Sequence, residues 1–156
     1  MAEISLARAK LSEEAAKFLG TFLRFEFALK ESGFGPGSGE ARVEWGCVTK
    51  ELGEEFCRRI QESGKAETIM RCPPKKQVLR HKELGWEPQE PPRNVHELFE
   101  AIRRVRNNLV HGGKSGDPEN DPNDPNRSEK LIREAQWIIE QALHDMGEVR
   151  NHFEGP

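Results

Sequence analysis

The fold is most directly legible in "NVHELFEAIRRVRNNLVHGG", residues 94–113. Val95, Leu98, Phe99, Ile102, Val105 and Leu109 recur at three- and four-residue steps, the period of a helix with one buried face. Asn94, with Glu97 three residues on, forms an N-terminal capping pair, and Gly112 and Gly113 offer the left-handed residue that closes such a helix. Arg106 lies one four-residue step after Ile102, which puts a guanidinium in the apolar stripe. His111 falls in the last turn.

The same period recurs on either side. Leu11, Ala15, Phe18, Leu19, Phe22, Phe25 and Leu29 predict a first helix from Leu11 to Ser32, with Ser12 as its N-cap. Phe18, Phe22, Phe25 and Phe27 spread over more than one face, which implies burial on two sides, the second against a partner helix or another subunit. "GFGPGSGE", residues 33–40, reads as a loop. Trp45, Val48, Leu52, Phe56 and Ile60 predict a second helix from about Ala41 to Ser63, with Cys57 beside its buried stripe.

Residues 65–93 contain Pro73, Pro74, Pro88, Pro91 and Pro92, which exclude a long helix. An ordered connector is expected, with short extended pieces at Val78-Leu79 and Gly85-Trp86, pinned to the helices by Leu79 and Trp86. "SGDPENDPNDPN", residues 115–126, has no apolar residue and reads as a solvated loop. Its Asp121, Asn123 and Asp124 lack the glycine and the bidentate glutamate of a calcium loop. Ser128 is expected to cap a fourth main helix through Leu131, Ala135, Ile138, Ile139, Ala142 and Met146. Gly147 ends it, and residues 148–153 add a short turn. The sum is an all-α fold, a four-to-five-helix bundle with a proline-rich connector between the second and third main helices, read as a single domain over residues 1–156.

A chain of 156 residues is long enough for one hydrophobic core, and 33% charged residues beside 35% hydrophobic ones suit amphipathic helices. The net charge of -3 gives no overall attraction for a polyanion, so any RNA contact has to be local. Cys47, Cys57 and Cys72 form no CxxC pair and follow no secretory signal, and are expected as reduced thiols of a cytoplasmic protein. The longest apolar run falls well short of the roughly 18 residues of a membrane span, and no membrane partner is expected.

An arginine in an apolar stripe keeps its charge and therefore requires a carboxylate, a helix end or an anionic ligand. Glu26 on the first helix is an internal candidate, placed either to orient Arg106 or His111 or to face solvent beside Lys30. His111 lies about 7.5 Å further along a regular helix and roughly 140° around it, so one copy does not readily aim both side chains at one atom. Two copies across a symmetry axis would pool two arginines and two histidines, which makes a homodimer an expectation of the spacing. The chemistry suits RNA. An imidazole takes the proton of a ribose 2′-hydroxyl or gives one to a leaving 5′-oxygen, while a guanidinium fork holds the phosphate. Neither metal nor cofactor is required. Asn107 and Asn108 would add hydrogen bonds to phosphate or base, and Lys114 a point charge. The structural alternative is an Arg106 ion-paired to a neighbouring helix and a His111 that only complements the helix dipole.

"RNNLVH", residues 106–111, resembles the R-x4-6-H motif of HEPN domains, a family of small helical proteins, in which a polar residue usually follows the arginine. "FLRFEFALKESGF" (22–34), "PPKKQV" (73–78) and "AIRRVRNNLVHGGK" (101–114) extend the likeness to certain bacterial members, roughly from Phe18 to Phe153. The resemblance implies a dimerising helical bundle whose paired motifs line a cleft, and metal-independent RNA cleavage leaving a 2′,3′-cyclic phosphate. It makes Arg106 and His111 the catalytic pair and Asn107 the polar residue after the arginine. Many members are toxins or phage-defence effectors held in check by a neutralising antitoxin-type protein. Others have lost activity and bind a nucleotide or a partner protein, which is the alternative expectation.

Other residues read more plainly. His81 sits among Lys75, Lys76, Arg80 and Lys82, the densest basic cluster, taken as a solvated surface. Arg103 and Arg104 widen the positive rim around the motif. His96, His144 and His152 have no spaced partner for a metal, and Trp45, Trp86 and Trp137 are assigned to packing.

Overall fold

The apolar stripes close on one another as their periods predict. A computed structural model of the chain describes residues 11–111, 119 and 121–155. In chain order it has α1 (Glu13–Glu31), α2 (Trp45–Ser63), α3 (Glu67–Arg71), β1 (Lys76–Arg80), β2 (Glu83–Glu87), α4 (Val95–His111), α5 (Arg127–Asp145) and α6 (Gly147–Glu154). The fold is all-α apart from one small hairpin. Helix α1 packs on α5 and α6, α2 on α4, and the short α3 on α5. Phe18, Phe25, Phe56, Phe99, Ile138 and Ile139 are among the fully buried side chains of the shared core.

Helix α1 starts where the capping signal puts it, Ser12 Oγ accepting from the Ala15 amide at 3.1 Å. Its aromatic residues divide. Phe18, Phe22 and Phe25 are buried, with Trp45 stacked 5.9 Å from Phe22, whereas Phe27 and Leu23 stay 48% and 57% exposed. At its other edge Arg24 donates to the Phe153 carbonyl and lies over the Phe153 ring, which docks α6.

The single second helix expected from residues 41–63 is broken. Gly53 adopts φ 77° and ψ 168° inside α2, a region essentially reserved for glycine, so two helical segments meet at an angle there. Just past the break, the Glu54 carboxylate accepts from the Val95 amide at 3.1 and 3.3 Å. Asn94 Oδ1 accepts from the Glu97 amide at 2.8 Å. Helix α4 is thus capped by its own asparagine and by a carboxylate from α2, both favourable at the positive end of a helix.

The proline-rich connector holds more structure than expected. Helix α3 occupies its start, and β1 and β2 pair antiparallel with Val78 opposite Gly85 and Leu79 opposite Leu84. The hairpin turns through His81 and Lys82, at φ 52° and 67°. Leu79 does not pin the connector, being 69% exposed, while Trp86 is half-buried. The anchors are polar: the Arg127 guanidinium donates to the Pro73 carbonyl at 2.9 Å and to Glu119 at 2.9 Å, and the Lys75 amide donates to Glu119 at 2.8 Å. Two expectations change accordingly. Glu119 is buried, so the polar loop is not wholly solvated, and Asn126 rather than Ser128 takes the N-cap position of α5, without a side-chain bond. Gly147 begins α6 immediately after α5 ends. Among the described residues no helix is long and apolar enough to cross a membrane.

Candidate functional site

Helix α4 carries the site. It buries Val95, Leu98, Phe99, Ala101, Ile102 and Val105, and its remaining surface divides into two polar flanks. Arg106 faces α1 and is half-buried, with its guanidinium 5.7 Å from the centroid of the Phe22 ring. Its Nη1 donates to Asn107 Oδ1 at 2.9 Å, while its buried Nε has no hydrogen-bond partner among the described residues. Glu26 does not supply one. It makes no hydrogen bond or ion pair with any described residue, and its field acts instead on Arg103.

The other flank borders the hairpin. Between α4 and β1 lies a cleft of about 670 Å3 whose walls include Lys76, Arg103, Arg104, Asn107, Asn108 and His111. The steps Arg103, Asn107 and His111 are four residues each, so one helical face presents all three. His111 is exposed at the end of α4. Asn108 Nδ2 donates to the Lys75 carbonyl at 2.8 Å, tying the connector to the helix. Arg103 lies 5.1 Å from the Trp45 ring centroid, and Arg104 Nη1 reaches the Pro74 carbonyl at 3.5 Å. Burial holds both guanidinium pKa values below the ordinary arginine value. Glu100 and Glu26 oppose that for Arg103, Arg106 adds to it, and Glu100 and Glu119 oppose it for Arg104. Arginine nevertheless remains charged.

Ion pairing sets these cations apart. Arg42, Arg58, Arg59, Arg71, Arg80, Arg93, Arg127 and Arg133 each meet a carboxylate. Arg103, Arg104 and Arg106 meet none among the described residues. Arg24 and Arg150 likewise meet no carboxylate among the described residues, but on α4 three such arginines fall within four positions, a local positive patch around the motif in a chain whose net charge is -3.

Of the residues singled out by the sequence, Asn107, Asn108 and His111 share the cleft, Arg106 lies outside its lining on the α1 side, and Lys114 lies outside the described residues. Gly112 and Gly113, the expected close of the helix, also lie outside them. Among the described residues no cluster of three or more His, Cys, Asp or Glu side chains could hold a metal ion. The sequence put Arg103 and Arg104 on the positive rim of the motif, where they line the cleft, but did not place Lys76 beside it. The four-residue steps were visible; the hairpin that forms the second wall was not. The chain matches no family model, no curated protein and no solved structure.

Proposed function

We propose that the protein is a metal-independent endoribonuclease of the HEPN type, acting as a cytoplasmic homodimer in which α4 of each copy contributes Arg106 and His111 to a shared site. The observation that carries this reading is the state of Arg106. Its guanidinium, packed between α1 and α4, has among the described residues no partner for its buried Nε and no carboxylate, which suits a group waiting for a phosphate. Leu23 and Phe27 on α1 and Val110 on α4, one helical turn from Arg106, are exposed apolar side chains that a second copy would cover.

In this reading His111 of one copy removes the proton from a ribose 2′-hydroxyl, whose oxygen attacks the adjacent phosphorus. The bond to the 5′-oxygen breaks, and that oxygen takes a proton from the second imidazole. The products are a 2′,3′-cyclic phosphate and a 5′-hydroxyl end. Arg106 holds the charge that develops on the phosphorane oxygens, and Asn107, already bonded to Arg106, fixes its orientation. Acid–base catalysis is worth roughly 10²–10⁴-fold and a charged donor at the developing anion about 10²–10³-fold, so no further group is needed for a useful rate. A toxin or defence role, with a neutralising protein partner, follows from the family resemblance alone.

The test is cleavage of a mixed RNA pool in EDTA by wild type, His111→Ala and Arg106→Ala, with product ends characterised. Cyclic-phosphate ends produced only by wild type support the proposal. Absence of cleavage by folded, dimeric wild type, or equal cleavage by His111→Ala, overturns it. The first of those outcomes favours a non-catalytic module that uses α4 to bind a nucleotide or a protein.

A further inference from the structure

We propose that the cleft between α4 and the hairpin is a binding groove for a single strand of RNA, which guides the strand to His111 from within one protomer. The inference rests on the RNA-directed reading of the motif but assigns a different surface from the one that holds Arg106.

Three features point to this occupant. Lys76, Arg103 and Arg104 line the cleft with no ion-pair partner among the described residues, against one lining carboxylate, Glu100, which lies 3.2 Å from His96. Three cations against one carboxylate leave the lining net positive, which suits a phosphate backbone. Partial burial removes water from Arg103 and Arg104, which strengthens any bond they make to an anion. Both are also braced, Arg103 against Trp45 and Arg104 at the Pro74 carbonyl, so less side-chain freedom is lost on binding.

The second feature is the amide content. Gln77, Gln89, Asn107 and Asn108 also line the cleft. Carboxamides present a donor and an acceptor together, the pattern that reads base edges. Gln89 and Asn108 spend donors on backbone carbonyls, which fixes their orientation and leaves their oxygens to accept. The Gln77 side chain makes no hydrogen bond among the described residues and is the one best placed to choose among bases.

Third is size and shape. A cleft of about 670 Å3 lies within the roughly 300–1,000 Å3 typical of ligand sites, room for a short stretch of single strand rather than a helix groove lying across the surface. Bases are open to reading in single strands, whereas duplex RNA hides them in a narrow major groove. His111 on the same wall places a reactive imidazole beside the bound strand.

The experiment uses the whole protein and a fluorescent ten-nucleotide RNA with 2′-fluoro sugars, which has no 2′-hydroxyl to attack and so reports binding alone. Arg103→Gln and Arg104→Gln should each weaken binding roughly tenfold and flatten the salt dependence by about 0.7 in slope, the loss of one phosphate contact. Arg103→Lys and Arg104→Lys should keep the slope. Arg58→Gln, which removes an arginine paired on the α2 surface, should bind as wild type. Gln77→Ala should alter preference among homopolymers with the slope unchanged. The groove is overturned if both glutamine variants, shown folded by thermal melts, bind like wild type. It is equally overturned if AMP competes as well as the strand, or if the same sequence as a duplex binds as tightly. Binding at the cleft without cleavage of ordinary RNA would remove the nuclease and leave the groove. Cleavage indifferent to Arg103 and Arg104 would do the reverse.

Discussion

A carboxylate with only 5% of its side chain exposed requires a cation, and Glu119 finds Arg127 at 2.9 Å, itself 9% exposed. The pair also takes the Lys75 amide and gives to the Pro73 carbonyl, so it joins the connector, the polar loop and the start of α5. Removing one member strands the other in a place without water. Glu119→Ala is therefore expected to cost about 3–5 kcal/mol. Arg133→Ala, which loses an exposed pair to Glu14, is expected to cost no more than about 1 kcal/mol. Urea unfolding curves measure both, and equal losses would show that the Glu119 pair is not an anchor. Glu134 works in the opposite sense. Burial raises its pKa above the ordinary 4.5 despite hydrogen bonds from Thr68 and the Ile69 amide. A carboxyl whose folded pKa is raised favours folding when protonated. Its contribution is full below the unfolded value near 4.5 and is lost as pH rises through the folded value. Glu134→Gln keeps an acceptor for Ile69 and removes the charge. Its melting temperature should exceed that of wild type at neutral pH, with the difference shrinking as pH falls toward 4.5; a difference independent of pH would refute the assignment.

At the scale of elements, the kink at Gly53 connects local conformation to the site. Open space surrounds the position of a Cβ there, so substitution meets no clash; the cost lies in φ 77° and ψ 168°. Gly53→Ala should destabilise by about 1–3 kcal/mol and loosen the Glu54 cap on α4, read as a lower melting temperature together with faster hydrogen exchange at the Val95 amide. Loss of stability without faster exchange at Val95 would separate the kink from the cap. The same glycine shows what periodicity conveys. The apolar stripe of residues 45–60 identified a helix because the inward faces of both segments obey the helical period, but a break preserving that period leaves no trace in it. Helix α1 and helix α4 were legible to within two residues because Ser12 and Asn94 announce their starts. The hairpin was legible only as two extended fragments, since its turn uses His81 and Lys82 where asparagine and glycine are the usual signal for positive φ. Leu79 misled because an apolar residue on a two-stranded hairpin has a face with nothing to cover it.

Across the whole molecule, the candidate site was legible in its residues and not in its surroundings. Arg106 and His111 stood out because a cation in an apolar stripe needs a partner and because five residues of helix turn them apart, and the structure does put them on different flanks of α4. The cleft wall was not readable, since it depends on Lys76 and Gln77 reaching α4 from about thirty residues away. One surface remains to be accounted for. Phe27 and Leu23 are 48% and 57% exposed, one helical turn apart on α1, the same helix whose Phe22 ring lies against Arg106. Single exposed apolar residues are ordinary, but two on one face, with Val110 49% exposed on the adjoining α4, suit contact with a second copy. A charge placed in that contact would be stripped of water and opposed by its symmetry mate, so Leu23→Glu with Phe27→Glu should convert a dimer to a monomer in sedimentation at micromolar concentration. The exposure of both positions should leave the melting temperature of the monomer nearly unchanged. If the site is shared, RNA cleavage falls with the dimer, whereas strand binding in the α4–hairpin cleft, complete within one protomer, persists. A variant that stays dimeric would place the interface elsewhere, and a monomer that still cleaves would show that one copy of Arg106 and His111 suffices.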